Sequence, residues 1–168
     1  MTTPAATDGR VIRAVLDTSS LYSGRSRRQL QQVAASGLYT ALWSPWIIAE
    51  LNRVLTWRWI RMTQPGDLSA AAERACAQAA NAMMTALLST CEVVTPRPPY
   101  PPAWPLSDPN DDPVWAAAVV GQAEYVVSEN TRHYPPRGPD GRHIFEQIVY
   151  LSADAFLTLL LGEEQTRS

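Results

Sequence analysis

A chain of 168 residues, 46% hydrophobic and 18% charged, has the size of one globular domain and can bury roughly two thirds of its unfolded surface without a disulfide or a structural metal. This composition excludes a disordered chain, a fibrous repeat and a membrane protein, since the apolar runs fall well short of the ~20 residues that cross a bilayer. The formal net charge of −2 leaves charged partners to be argued from local patches rather than from the total.

Met1 to Arg10 is small and polar, with no basic run leading into an apolar block. It reads as a disordered tail without a secretory signal, which points to a cytoplasmic protein. One domain is expected over 11–162, with a frayed end at 163–168. Val11 to Leu16 is an apolar run stopped by Asp17-Thr18-Ser19-Ser20, a buried strand entering a polar loop. Arg25, Arg27 and Arg28 lead into a helix with Leu30, Val33 and Ala34 at helical spacing and Gly37 as its stop. Ser44-Pro45 opens another helix, because serine caps and proline is tolerated at the first helical position. Ile47, Ile48, Leu51, Val54 and Leu55 form its apolar face, and Glu50 lies off the centre of that stripe.

An alanine-rich helix is predicted from Ser69 to Ser89, then a short strand at Glu92-Val93-Val94. Pro96 to Pro105 contains six prolines and must be an extended surface loop. Asp111-Asp112-Pro113 starts a helix that Gly121 ends. Tyr125 to Ser128 is a second buried strand, with Glu129 and Asn130 at its carboxyl end. Pro135 to Gly141 is turn-rich, Ile148 to Tyr150 is a strand, and Ser152 caps a last helix. Alternating strands and helices imply an α/β fold with a mostly parallel sheet, in which ligands bind beyond the carboxyl ends of the strands.

That rule directs attention to Asp17, to Ser128 through Asn130 and to the helices that point there, where Glu50 rides one helix and Asp111 opens another. Brought together, the three carboxylates would repel by roughly 4 kcal/mol per pair at about 4 Å and an effective dielectric near 20. Such a group needs a cation, and oxygen ligands suit Mg²⁺ or Mn²⁺ better than zinc. Each residue also has a plain reading. Asp17 can be a turn residue, Glu50 a partner of Arg53, Asp111 or Asp112 a helix cap, and Asn130 a turn former. Cys76 and Cys91, fifteen residues apart with no CxxC, read as reduced, partly buried thiols. His133 and His143 lack metal-ligand spacing and read as surface loop residues. Trp43, Trp46, Trp57 and Trp59 cluster around one helix, where core packing competes with stacking on bases or a protein contact. All 14 basic residues are arginine, which GC-rich coding explains and which also suits phosphate contacts.

The blocks VIRAVLDTSSL, SPWIIAELNRVL, DPNDDPVWAAAVVGQAEYVVSEN and IVYLSADAFLTLL together resemble a PIN domain from about Val11 to Leu160, especially the branch of toxins from toxin–antitoxin pairs. The resemblance implies a PIN-like three-layer α/β/α sandwich and a ribonuclease using Mg²⁺ or Mn²⁺. By position, Asp17, Glu50 and Asp111 match the family's metal-holding acids, Asp111 standing twelve residues before Ala123, with Asp108 and Asp112 flanking it. The family's usual Ser/Thr-x-Asp is here Ser128-Glu129-Asn130, so the fourth position offers an uncharged amide, and Glu129, its neighbour on the strand end, points the other way. The resemblance further implies that Ser128 or Thr18 steadies the acids and that Arg25, Arg27 and Arg28, with Arg132 and His133 as weaker candidates, meet the RNA backbone. Implied partners are RNA, an antitoxin protein and a second copy of the chain, with no membrane. The alternative is a PIN-like module that binds RNA or protein but has lost cleavage through Asn130. A phosphatase on a similar sheet is a third, remoter reading.

Overall fold

The computed structural model describes residues 11–63, 69–100, 104 and 108–167, so the expectation of a disordered 1–10 tail lies outside the described residues. The order of elements is β1 (Ile12–Leu16), α1 (Thr18–Leu21), α2 (Gly24–Ala35), β2 (Tyr39–Trp43), α3 (Pro45–Thr63), α4 (Ala70–Leu88) and β3 (Cys91–Val93). There follow α5 (Asp112–Val120), β4 (Tyr125–Val127), a 3₁₀ turn (Thr131–His133), β5 (His143–Phe145), β6 (Ile148–Leu151) and α6 (Ala153–Arg167). The sheet runs β3-β2-β1-β4-β6-β5. Every pairing is parallel except β5 with β6.

The sheet is the middle of three layers. Helices α2 and α6 pack together on one face. There the Phe156 ring meets Tyr39 edge-on at 5.0 Å and tilts against Tyr125 at 5.5 Å, while the Tyr39 hydroxyl donates to the Leu30 carbonyl. Helices α3 and α5 cover the other face, with α4 packed on α3. Ala14, Val15, Leu42, Val126 and Val127 are buried between the layers, as parallel strands covered on both sides require.

The chain runs outward from β1 to β2 and β3, then returns to lay β4 on the other side of β1. The reversal leaves a crevice beyond the carboxyl ends of β1 and β4, the place where open α/β sheets bind ligands. Register pairs Leu16 with Val127, and the Asp17 amide donates to the Val127 carbonyl at 2.9 Å. Asp17 and Ser128 are therefore side by side although 111 residues separate them.

Several elements differ from the sequence expectation. The stretch between Gly37 and Ser44, to which the sequence reading assigns no element, holds the interior strand β2. Thr18 to Leu21, expected as loop, makes one helical turn. His143 belongs to strand β5, where its Nδ1 lies 2.7 Å from the Pro135 carbonyl and its ring packs on Tyr134, so it is not a loop residue. Gly121 does end α5, but at φ −78 and not in the left-handed form, which falls on Gln122 at φ 52. Glycine is required at 121 because a Cβ there would lie 2.6 Å from Leu42 Cδ1 and 2.9 Å from the Ala117 carbonyl oxygen. Helix α6 spans Ala153–Arg167.

Candidate active site

Asp17 leaves β1 as that strand ends, and its carboxylate is fixed through one oxygen. Oδ2 accepts the Ser19 hydroxyl at 2.6 Å and the Ser128 hydroxyl at 2.8 Å. The two serines also touch each other at 3.0 Å. Ser19 Oγ further accepts the Glu129 amide and Ser128 Oγ the Asn130 amide. Hydroxyls from two chain segments thus tie the end of β1 to the end of β4, and Oδ1 stays outside this network. The Tyr134 hydroxyl donates to the Ser128 carbonyl and pins the same corner.

Glu50 projects from α3, whose start is set by Ser44 Oγ accepting the Ile47 amide at 3.3 Å. Its Oε2 accepts the hydroxyl of buried Thr18 at 2.9 Å, and no Glu50–Arg53 ion pair occurs among the described residues. Burial raises the Glu50 carboxyl above its ordinary range. The Thr18 hydrogen bond and Arg53 work against that rise, and the charges of Asp17 and Asp111 add to it.

Asp111 stands at the start of α5 but makes no side-chain cap there, so the plain capping role does not describe it. Its Oδ2 lies 2.8 Å from Nδ1 of His133, while Nε2 of the same ring is 4.0 Å from Asp108 Oδ2. Both atoms are buried, and neither has a partner beyond this ion pair. Burial raises the Asp111 carboxyl, His133 opposes the shift, and Asp108 and Asp17 reinforce it. Asp108 is engaged through Oδ1 with the Asn110 amide and side chain.

Asp17, Thr18, Glu50, Asp108, Asp111, Asn130 and His133 all line one cavity of about 460 Å³. His133, read from sequence as a surface loop residue, is the functional candidate that reading underrated. Its link to Asp111 depends on the 3₁₀ turn after Asn130, and the only hint in the sequence was its place just beyond a strand end. Glu129 turns away, its Oε1 capping α6 by accepting the Ala153 amide at 2.8 Å. Asp112 does not line the cavity, and neither do Arg25, Arg27 and Arg28. Arg27 instead donates to the Leu21 carbonyl. Trp43 is core, whereas Trp46 lines the cavity.

Among the described residues no three His, Cys, Asp or Glu side chains stand in position to ligate a metal as placed. The donor chemistry nevertheless fits a hard cation: carboxylate oxygens predominate, and the buried Asp111 Oδ2 has His133 alone to offset its lost hydration.

The PIN domain model matches residues 13–132, from within β1 into the 3₁₀ turn and ending one residue before His133. The chain belongs to the PIN domain family. The match spans all four of the cavity residues selected from the sequence. PIN domains are generally nucleases, so this PIN domain carries the fold of a phosphodiester-cleaving family. No curated protein matches it. Among the described residues no helix is long and apolar enough to cross a membrane.

Proposed function

We propose that this PIN domain is an Mg²⁺- or Mn²⁺-dependent endoribonuclease acting in the cytoplasm as the toxin of a toxin–antitoxin pair. The observation that carries the reading is one shared cavity at the β1–β4 crevice, to which α3 and the start of α5 bring Glu50 and Asp111 along with Asp17. Asp17, Glu50 and Asp111 would hold the ion, with the Asn130 amide oxygen completing the set. A bound divalent ion supplies a water acidic enough to attack and offsets negative charge on the phosphate.

The chain's own contribution is positional. Ser19 and Ser128 orient the Asp17 carboxylate. Thr18 holds Glu50 by one oxygen, leaving the other to face the ion or to orient its water. His133, between Asp108 and Asp111, can donate to a phosphate oxygen or to the leaving group.

The test is cleavage of a labelled RNA by purified protein with Mg²⁺, with Mn²⁺ and with chelator, beside Asp17→Asn. Metal-dependent cleavage that falls at least about 100-fold in the variant supports the reading. Absence of cleavage with RNA binding retained favours a binding module instead, a reading prompted by the neutral Asn130 and the diverted Glu129. The toxin role predicts growth arrest on expression, absent for Asp17→Asn and relieved by a co-expressed antitoxin.

A further inference from the structure

A second cavity, of about 360 Å³, opens beside the acidic one and shares Tyr22 and Val54 with it. Its other walls are Arg53, Trp57, Arg58 and Arg61, with no carboxylate. Glu50, Arg53, Val54, Trp57, Arg58 and Arg61 recur at steps of three and four along α3, so they share one face of the helix. The face is acidic near its start and cationic and aromatic farther along. From Glu50 to Arg61 it runs about 16 Å, on the order of five nucleotides stacked about 3.4 Å apart.

The side chains divide their work. The Arg58 guanidinium lies 4.4 Å over the Tyr22 ring and donates to the Tyr22 carbonyl, so it holds the wall common to both cavities. Among the described residues neither Arg53 nor Arg61 has a carboxylate at ion-pair distance. Trp57 is 57% exposed, an indole presented to solvent between two guanidinium groups. An anionic polymer with flat, unpaired rings satisfies both features. An acidic peptide would satisfy the arginines but offers no bases to the indole.

We infer that this furrow is the track for the single-stranded RNA flanking the cleaved bond, with Arg53 and Arg61 on backbone phosphates and Trp57 stacked on a base. The inference rests on the ribonuclease reading and adds a substrate form to it. Paired bases present no open face to Trp57, so duplex RNA does not use the furrow. Stacking carries little sequence preference, so selectivity here is for unpaired strands rather than for a motif.

The test is fluorescence anisotropy with an unstructured labelled RNA of about 12 nucleotides, a length within the usual single-strand site range. Binding is measured in chelator across a salt series for the wild-type chain, Trp57→Ala, Trp57→Phe and Arg61→Ala, each checked by circular dichroism. Trp57→Ala should weaken binding about tenfold or more, and Trp57→Phe should recover most of the loss. Arg61→Ala should weaken binding and flatten the log–log salt slope by about 0.7. Binding to a duplex of equal length should not change in Trp57→Ala.

The track is overturned if the variants bind as the wild type does, if Trp57→Phe is as weak as Trp57→Ala, or if the wild type binds no RNA. In the first two cases, metal-dependent cleavage by the wild type would leave the ribonuclease reading standing without this furrow. Furrow-dependent binding with no cleavage in Mg²⁺ or Mn²⁺ would leave the track and remove the catalysis.

Discussion

Asp17 and Asp111 share a cavity but are held in opposite ways. Asp17 Oδ2 receives serine hydroxyls from both sides of the crevice, whereas Asp111 Oδ2 has the single ion pair with His133 and no further donor. A carboxylate with two good donors has its position fixed before any ligand arrives. One that is buried without them carries a desolvation penalty that a cation would relieve. The β1–β4 side is thus the rigid reference of the site, and the α5 side is where binding energy is to be gained.

The largest effect expected from this asymmetry is kinetic. Ser128→Ala removes a hydroxyl from Asp17 and should lower kcat roughly 10- to 100-fold, the usual loss when a partner orienting a metal-ligand side chain is removed. His133→Ala removes one ion-pair contact from Asp111 and should cost less than about tenfold where the imidazole only positions that carboxylate. Steady-state cleavage of one RNA by both variants decides the order, and a larger loss for His133→Ala would reverse the comparison.

A smaller effect concerns stability without metal. Asp111→Asn removes a charge whose burial outweighs its pairing with His133, and should stabilise the metal-free chain by under about 1 kcal/mol because the group is partly solvated. Asp17→Asn disturbs the serine hydroxyls and should lower stability by about 1 kcal/mol. Opposite shifts in paired thermal melts sharpen the distinction, and shifts of the same sign break it.

The smallest expected effect is the pH dependence. Burial raises Glu50 and Asp111, so the folded chain binds their protons more tightly than the unfolded chain does. Their contribution to stability therefore falls as pH rises from the ordinary carboxylate range through the raised values, and the penalty is complete above them. In chelator, Glu50→Gln should flatten this slope in urea titrations at successive pH values. Saturating Mg²⁺ should stabilise the wild type most at neutral pH, where the carboxylates are ionised.

Much of this arrangement is legible in the sequence because local chemistry and global position agree there. The run VIRAVL stopped by Asp17 is a strand end in isolation and in the fold, and Ser44-Pro45 starts α3 as capping rules require. Strand β2 was missed because Tyr39 to Trp43 has Thr40 and Ala41 in its middle and lies between two strong helix signals. β5 was missed because it is three residues long and its hairpin turns through Glu146 and Gln147 at φ 44 and 71, where asparagine or glycine is the usual signal. The hydroxyl ties on Asp17 and the approach of His133 to Asp111 depend on register between distant segments. No spacing rule reports such register.

Glu129 Oε1 is committed to the first amide of α6, and this bears on how the cavity meets an anionic substrate. The neighbouring acid cannot swing in to replace a missing aspartate without uncapping a helix, so the fourth corner stays neutral. On the proposed metal-dependent reading, a neutral corner would weaken the grip on a dication but would also leave the loaded cavity less repulsive toward an incoming phosphodiester. Asn130→Asp would shift that compromise, holding the ion more firmly while discouraging the polyanion it is meant to cut.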